Sequence, residues 1–219
     1  DRRQRQMCIR DRDIVTHFFA SILNGIENMA IANGYFVIIT TSHESYEHEK
    51  RNIENLVNMR VEGIIACLSQ ETTDFSHISA LKDINMPLIL FDRVCLTDQF
   101  SSVIADGAQS AQMATQHLLD NGSKRVAFIG GANHLDIVKR RKHGYLEALR
   151  ENRIPIEKEL VVCRKIDYKE GKIATETLLS LPQPPDAILA MNDTLAFAAM
   201  EVIKRHGLRI PDDLSLIHI

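Results

Sequence analysis

A strict alternation along the chain does most to limit its fold. Short, continuously apolar runs recur: "YFVIIT" (35–40), "GIIACL" (63–68), "PLILF" (87–91), "SSVIA" (101–105), "RVAFIG" (125–130), "LVVC" (160–163) and "DAILAM" (186–191). Between most of them the apolar residues instead recur at helical spacing, over 18–32, 44–60, 72–84, 107–121, 140–152, 169–181 and 192–206. A strand with both faces buried has no polar face to alternate with, so continuous apolar runs indicate parallel strands covered by helices on both sides. Strand–helix–strand repetition gives a doubly wound parallel sheet with right-handed crossovers. Asn33-Gly34, Asn121-Gly122 and His206-Gly207 each follow a helical run, where a left-handed residue closes the last turn. The stretch 92–106 is rich in Asp, Thr, Gln and Ser and lacks a helical pattern. It reads as the crossing between two similar α/β lobes.

Composition narrows the function classes. A net charge of -3 leaves no basic footprint for nucleic acid. The 4 cysteines (Cys8, Cys67, Cys95, Cys163) form no C-x-x-C pair, so they suggest neither a zinc site nor a disulfide framework. Cys67 and Cys95 fall in apolar runs and read as reduced, buried thiols. No apolar run is long enough to span a membrane. No signal peptide is visible, which favours a cytoplasmic protein. "IGGANH" is not a G-x-G-x-x-G fingerprint, and no G-x-S-x-G, H-E-x-x-H or phosphate-loop motif occurs. His43 and His48 stand at i, i+5 rather than on one helical face, so they read as solvated. The chain is expected to be no enzyme, with no cofactor and no metal.

The segments "HFFASILNGIENMAIANGYFVIITTS", "RVEGIIACLS", "PLILFDRV", "VIADGAQSAQMATQHLLDNGSKRVAFIGG", "RRKHGYLEAL" and "PPDAILAMNDTLAFAAMEVIKRHGLRIPDDLS" follow one another in order and spacing. Together they resemble the effector-binding core of the lactose/galactose-repressor family of bacterial transcription regulators, over roughly residues 13–215. The resemblance implies a periplasmic-binding-protein-like fold: two similar doubly wound lobes, present here as an incomplete fragment, that clamp a small molecule, usually a sugar. It also implies an N-terminal helix-turn-helix, through which alone operator DNA would be bound and which this chain lacks.

Both ends depart from the family pattern. The family would place an apolar strand and a Pro-Asp pair before "HFFASIL". Here Asp13 can stand for that Asp, but "MCIRDR" replaces the strand. At the other end "IPDDLS" runs into "LIHI" rather than a longer apolar strand. "LSLIHI" can be coded CTG TCT CTT ATA CAC ATC, whose reverse complement contains ATG TGT ATA AGA GAC AG and encodes "MCIRD". Such complementarity suggests adapter sequence translated on both sides of an insert. Residues 1–12 and 216–219 are therefore assigned to adapter and excluded from the fold, with a genuine polar N-terminal arm as the alternative. Residues 13–104 form the N-terminal lobe and 105–215 a truncated C-terminal lobe.

Candidate ligand-binding residues follow from the rule that open parallel sheets bind ligands beyond the carboxyl ends of their strands. Asp92 directly follows "PLILF", where a carboxylate can accept two sugar hydroxyls. The alternative is a loop-capping Asp. Arg141 reads as opening the helix "RRKHGYLEAL" and matches the family arginine that reaches the ligand; Arg140 is the alternative in the neighbouring register. A run of bases at a helix start opposes the helix dipole and asks for an explanation. Phe18 and Phe19 begin the first helix, where an aromatic ring can pack on a sugar face; one of the two is core. Asn192 and Asp193 follow "DAILAM", and the resemblance implies that this pair carries a ligand contact beside the helix cap. Asp106 reads as a cap. Ile53, Leu56 and Val57 stand amid charge in helix 44–60 and suggest a homodimer face. The second function class is a periplasmic sugar-binding protein of a transporter. "HGLRIPDDLS" and "HLLDNGSKRVAFIGG" favour the regulator.

Overall fold

The computed structural model describes residues 5–11 and 17–219; Asp13 lies outside the described residues. The chain divides into two compact units, Asp1–Ala105 and Asp106–Ile219, one residue beyond the boundary read from the sequence.

The first unit runs β1 (Arg5–Asp11), α1 (His17–Ala32), β2 (Tyr35–Thr41), α2 (Tyr46–Asn58), β3 (Gly63–Ala66), α3 (Ser76–Asp83), β4 (Leu88–Phe91) and β5 (Ser101–Val103). Its sheet has the order β2-β1-β3-β4-β5. Every pairing is parallel. The strands read from the apolar runs are present, and Gly34 closes α1 at φ 78° as its turn chemistry requires.

Residues 5–11, read as adapter from the sequence, lie within the sheet of the first unit. They form a strand in the sheet's interior, Met7 facing Val37 on one side and Gly63 on the other. A parallel ladder is made by backbone N–H and C=O groups, which Arg10 and Asp11 carry as well as any apolar residue. One expectation fails here: Ile53 and Leu56 are not exposed. They are 2% and 1% exposed and pack with Val61, Ile64, Ile78 and Leu81 beneath α2 and α3. The charge around them marks the outer face of an amphipathic helix, whose inner face is core.

The second unit runs α4 (Gly107–Asp120), β6 (Val126–Gly130), α5 (Asp136–Glu151), β7 (Val161–Cys163), α6 (Tyr168–Leu179), β8 (Ala187–Ala190), α7 (Asp193–Arg205) and β9 (Ser215–His218). Its parallel sheet has the order β7-β6-β8-β9. All of β6 and β8 is buried, as strands covered on both faces must be. Tyr145 anchors α5 to the sheet: its ring stacks on Phe128 and its hydroxyl donates to the Val126 carbonyl at 2.9 Å. β9 includes Leu216, Ile217 and His218, which the sequence reading had assigned to adapter; Leu216 pairs with Ile188.

α4 and α5 approach closely because Gly144 carries no side chain. A Cβ there would lie 2.8 Å from the Ala108 carbonyl carbon and 2.9 Å from the Gln112 nitrogen. Among the described residues no helix is long and apolar enough to cross a membrane.

Candidate functional site

In the first unit Asp92 stands at the carboxyl end of β4, and Phe18 and Phe19 lie in the first turn of α1, which follows β1. Asp92 follows β4 with φ 57°, in the left-handed region that Asp tolerates better than most side chains. Its amide donates to the Val103 carbonyl at 3.2 Å, and the Cys67 thiol stands 3.9 Å from its Oδ2. Asp92 is half-buried rather than sealed in the core.

Phe18 and Phe19 separate by role. Phe19 is 2% exposed and joins Cys67 and Phe91 in a small core cluster. Its ring meets Phe91 at 6.1 Å and Phe18 edge-on at 5.2 Å. Phe18 is 54% exposed. The core residue of the pair is therefore Phe19, and Phe18 is the exposed ring.

A buried polar network beside Asp92 is not legible in the sequence. Glu49, in the first turn of α2, accepts from the Ser69 amide at 2.7 Å and pairs with His77 Nε2 at 2.8 Å. Both side chains are buried. Glu44, just before α2, accepts from the Gln70 amide at 2.6 Å and from Arg93 Nη1 at 2.7 Å. Arg93 is 2% exposed. Two carboxylates thus hold the loop that follows β3 by its backbone amides, and each faces a basic side chain, as the buried Glu49 requires and the half-buried Glu44 shares. Near this network burial pushes the Cys95 thiol up to about 12, with the Glu49 charge adding to the effect.

In the second unit, Arg141 does not open its helix. α5 begins at Asp136, with Leu135 as its cap, so Lys139, Arg140 and Arg141 do not open the first turn. The dipole conflict dissolves: Asp136 occupies the first turn and pairs with Arg140. Arg140 is thereby engaged within its own helix. Arg141 Nη1 donates to the Met191 carbonyl at the end of β8. This bond brings Arg141 to the backbone immediately before Asn192. Asn192 caps α7, its Oδ1 accepting from the Leu195 amide at 3.1 Å. Asp193 diverges from this group: it is exposed and its Oδ1 lies 3.0 Å from His218 Nδ1. Asp106 caps α4 through the Gln109 amide at 3.0 Å.

Each unit therefore presents polar side chains at the carboxyl ends of parallel strands: Asp92 in the first, Arg141 and Asn192 in the second. Among the described residues no group of His, Cys, Asp and Glu could hold a metal ion.

Comparison with known proteins gives a family match over residues 8–218, to the periplasmic binding proteins and sugar binding domain of LacI family. The chain is 34% identical over 206 residues to the probable HTH-type transcriptional repressor ExuR of Bacillus subtilis, covering 91% of this chain and 62% of that protein. It is 32% identical over 210 residues to catabolite control protein A of Priestia megaterium, covering 94% and 61%. It thus spans less than two thirds of the length of these relatives. Among solved structures it superposes on the transcription regulator CcpA of Lactococcus lactis with a TM-score of 0.91 and 26% identity, covering 99% of this chain and 78% of that one. With the match running through both units and the sheets agreeing with the solved fold, the chain belongs to the periplasmic-binding-protein and sugar-binding-domain family of the LacI regulators.

Proposed function

We propose that this chain is the effector-sensing core of a DNA-binding transcription regulator. The observation that carries the reading is the family match through residues 8–218, joined to relatives named as regulators at 34% and 32% identity. Its effector is a sugar or a related small molecule. Asp92 and Asn192 accept hydroxyl hydrogen bonds, Arg141 supplies the guanidinium, and Phe18 offers an aromatic face; Asp193 is the peripheral member. The protein binds its effector without catalysing a reaction, and it works in the cytoplasm. Operator DNA is read by a helix-turn-helix outside this chain. The alternative, a sugar-binding component of a transporter, has less support because these relatives are named as regulators. The protein works as a homodimer. Exposed apolar residues on α1 (Met29, Ile31) and on the edge strand β2 (Phe36, Ile39) support a face there.

The test is calorimetry of the regulator against D-ribose, D-glucose, D-glucuronate and cellobiose, with Asp92→Asn and Arg141→Ala. Loss of a charge-assisted hydrogen bond costs about 1.5–3 kcal/mol, so each variant weakens binding by about one to two decades. Asn keeps the left-handed backbone of Asp92 and isolates the charge. Wild-type affinity in both variants would place the site elsewhere.

A further inference from the structure

We infer that Arg93, held by Glu44, is a positioning residue for Asp92: one buried guanidinium fastens together the loops that follow β2, β3 and β4. The inference rests on the reading that Asp92 contacts the effector.

The fastening can be followed bond by bond. Arg93 is the residue after Asp92. Its Nη1 donates to Glu44 Oε2 at 2.7 Å, in the loop after β2, and to the Leu68 carbonyl at 3.4 Å, in the loop after β3. The Leu68 amide returns a bond to the Arg93 carbonyl at 3.4 Å. Glu44 extends the tie, since the same Oε2 accepts from the Gln70 amide. Asp92 is thus bounded by an anchored neighbour on one side and by its own amide bond to Val103 on the other.

Backbone geometry points the same way. His43 and Glu44 adopt φ 49° and 61°, consecutive left-handed residues without a glycine, and Asp92 adopts 57°. Non-glycine residues hold such conformations when surrounding bonds over-determine them, and these cluster at functional sites. These three lie in the loops after β2 and β4, the carboxyl ends from which open parallel sheets meet ligands, whereas Arg60, Asn85 and Arg153 adopt the same region just after helices. The energetic logic of a buried arginine agrees: with Glu44 opposite, the charge is compensated, and Nη1 alone carries the tie, since Nε and Nη2 make no hydrogen bond among the described residues.

Glu44→Ala tests this in the present chain by amide hydrogen exchange. Exchange at Asp92 and Gln70 should accelerate by about tenfold or more, with the β6 amides of the second unit unchanged, and Glu44→Gln, which keeps an acceptor, should restore most of the protection. Unchanged protection at Asp92 in Glu44→Ala overturns the inference. Should Glu44→Ala unfold the first unit, Arg93→Lys replaces it, keeping the charge without the fork. It should deprotect Asp92; full protection there overturns the inference.

Affinity for the four sugar probes separates positioning from general support. Glu44→Ala should weaken binding by about tenfold in the parent and leave Asp92→Asn unaffected, because it acts through Asp92. An equal loss in both backgrounds overturns the inference. If Asp92→Asn alone keeps parental affinity, the site reading fails, while the exchange result still decides whether Arg93 and Glu44 position Asp92.

Discussion

Replacing Gly144 with alanine puts a methyl group where the backbone of α4 already stands. The new Cβ would lie 2.8 Å from the Ala108 carbonyl carbon and 2.9 Å from the Gln112 nitrogen, and nearer still to the Ala108 oxygen. Unstrained carbon contacts need about 3.5–4.0 Å, so α5 must retreat from α4 by roughly 1 Å. Both sides of the contact are helix backbone, and no rotamer change relieves it. Overpacking costs about 1–3 kcal/mol, and a rigid partner puts this site near the upper figure. The better helix propensity of alanine returns about 1 kcal/mol. The net loss is about 2 kcal/mol, a fall of about 4–8 °C in Tm for a chain of this size. Gly25→Ala is the control. Gly25 sits inside α1 with nothing within 4 Å of its notional Cβ. It should gain up to about 1 kcal/mol from propensity alone. Differential scanning calorimetry and urea unfolding measure both. If Gly144→Ala melts at or above the parent while Gly25→Ala is stabilised, α4 and α5 do not meet as described.

Other expectations address the core, the acid limb and the thiols. Leu90 is fully buried in β4 between Ala66 and Ser102, so Leu90→Ala should cost about 2–5 kcal/mol; a urea midpoint within error of the parent would contradict this. The Arg209 guanidinium and amide hold the Asp213 carboxyl at about 2, below its usual 3.8. The unfolded chain therefore takes up that proton first on acidification. The stability advantage of the parent over the Asp213→Asn variant should be intact above about pH 4 and vanish toward about pH 2; a difference constant to the acid end would refute the pairing. Cys95, with its thiol pushed up to about 12, should resist iodoacetamide at about pH 8 until denaturant is added, as peptide mapping by mass spectrometry would show.

Local features are legible in this sequence, and side-chain partnerships are not. Apolar runs locate β2 to β8, and the reason is plainest in β6 and β8, where burial on both faces leaves no other pattern. The Asn-Gly and His-Gly pairs mark helix ends because few residues accept positive φ; Gly122 and Gly207 adopt 96° and 77°. α5 reads as beginning at Arg140 because "DIVK" resembles a loop continuation, whereas Ile137 and Val138 already belong to its inward face. β1 is invisible because Arg10 and Asp11 break the apolar pattern although their backbone pairs normally. In the candidate site, Asp92 and Asn192 can be found from strand ends alone. Glu44, Glu49, His77 and Arg93 cannot, because their bonds join residues 28 and 49 positions apart and no short motif encodes them.

The place of β1 has a mechanical consequence. Among the described residues it is the first strand in sequence, yet it lies inside the sheet and is the sole strand neighbour of β2. Tension applied to the chain ahead of β1 would load its ladders with β2 and β3 along their length, so that the bonds share the force in shear instead of opening one at a time. Whatever is tethered there pulls on the middle of the lobe, and extracting that one strand would leave β2 with no partner.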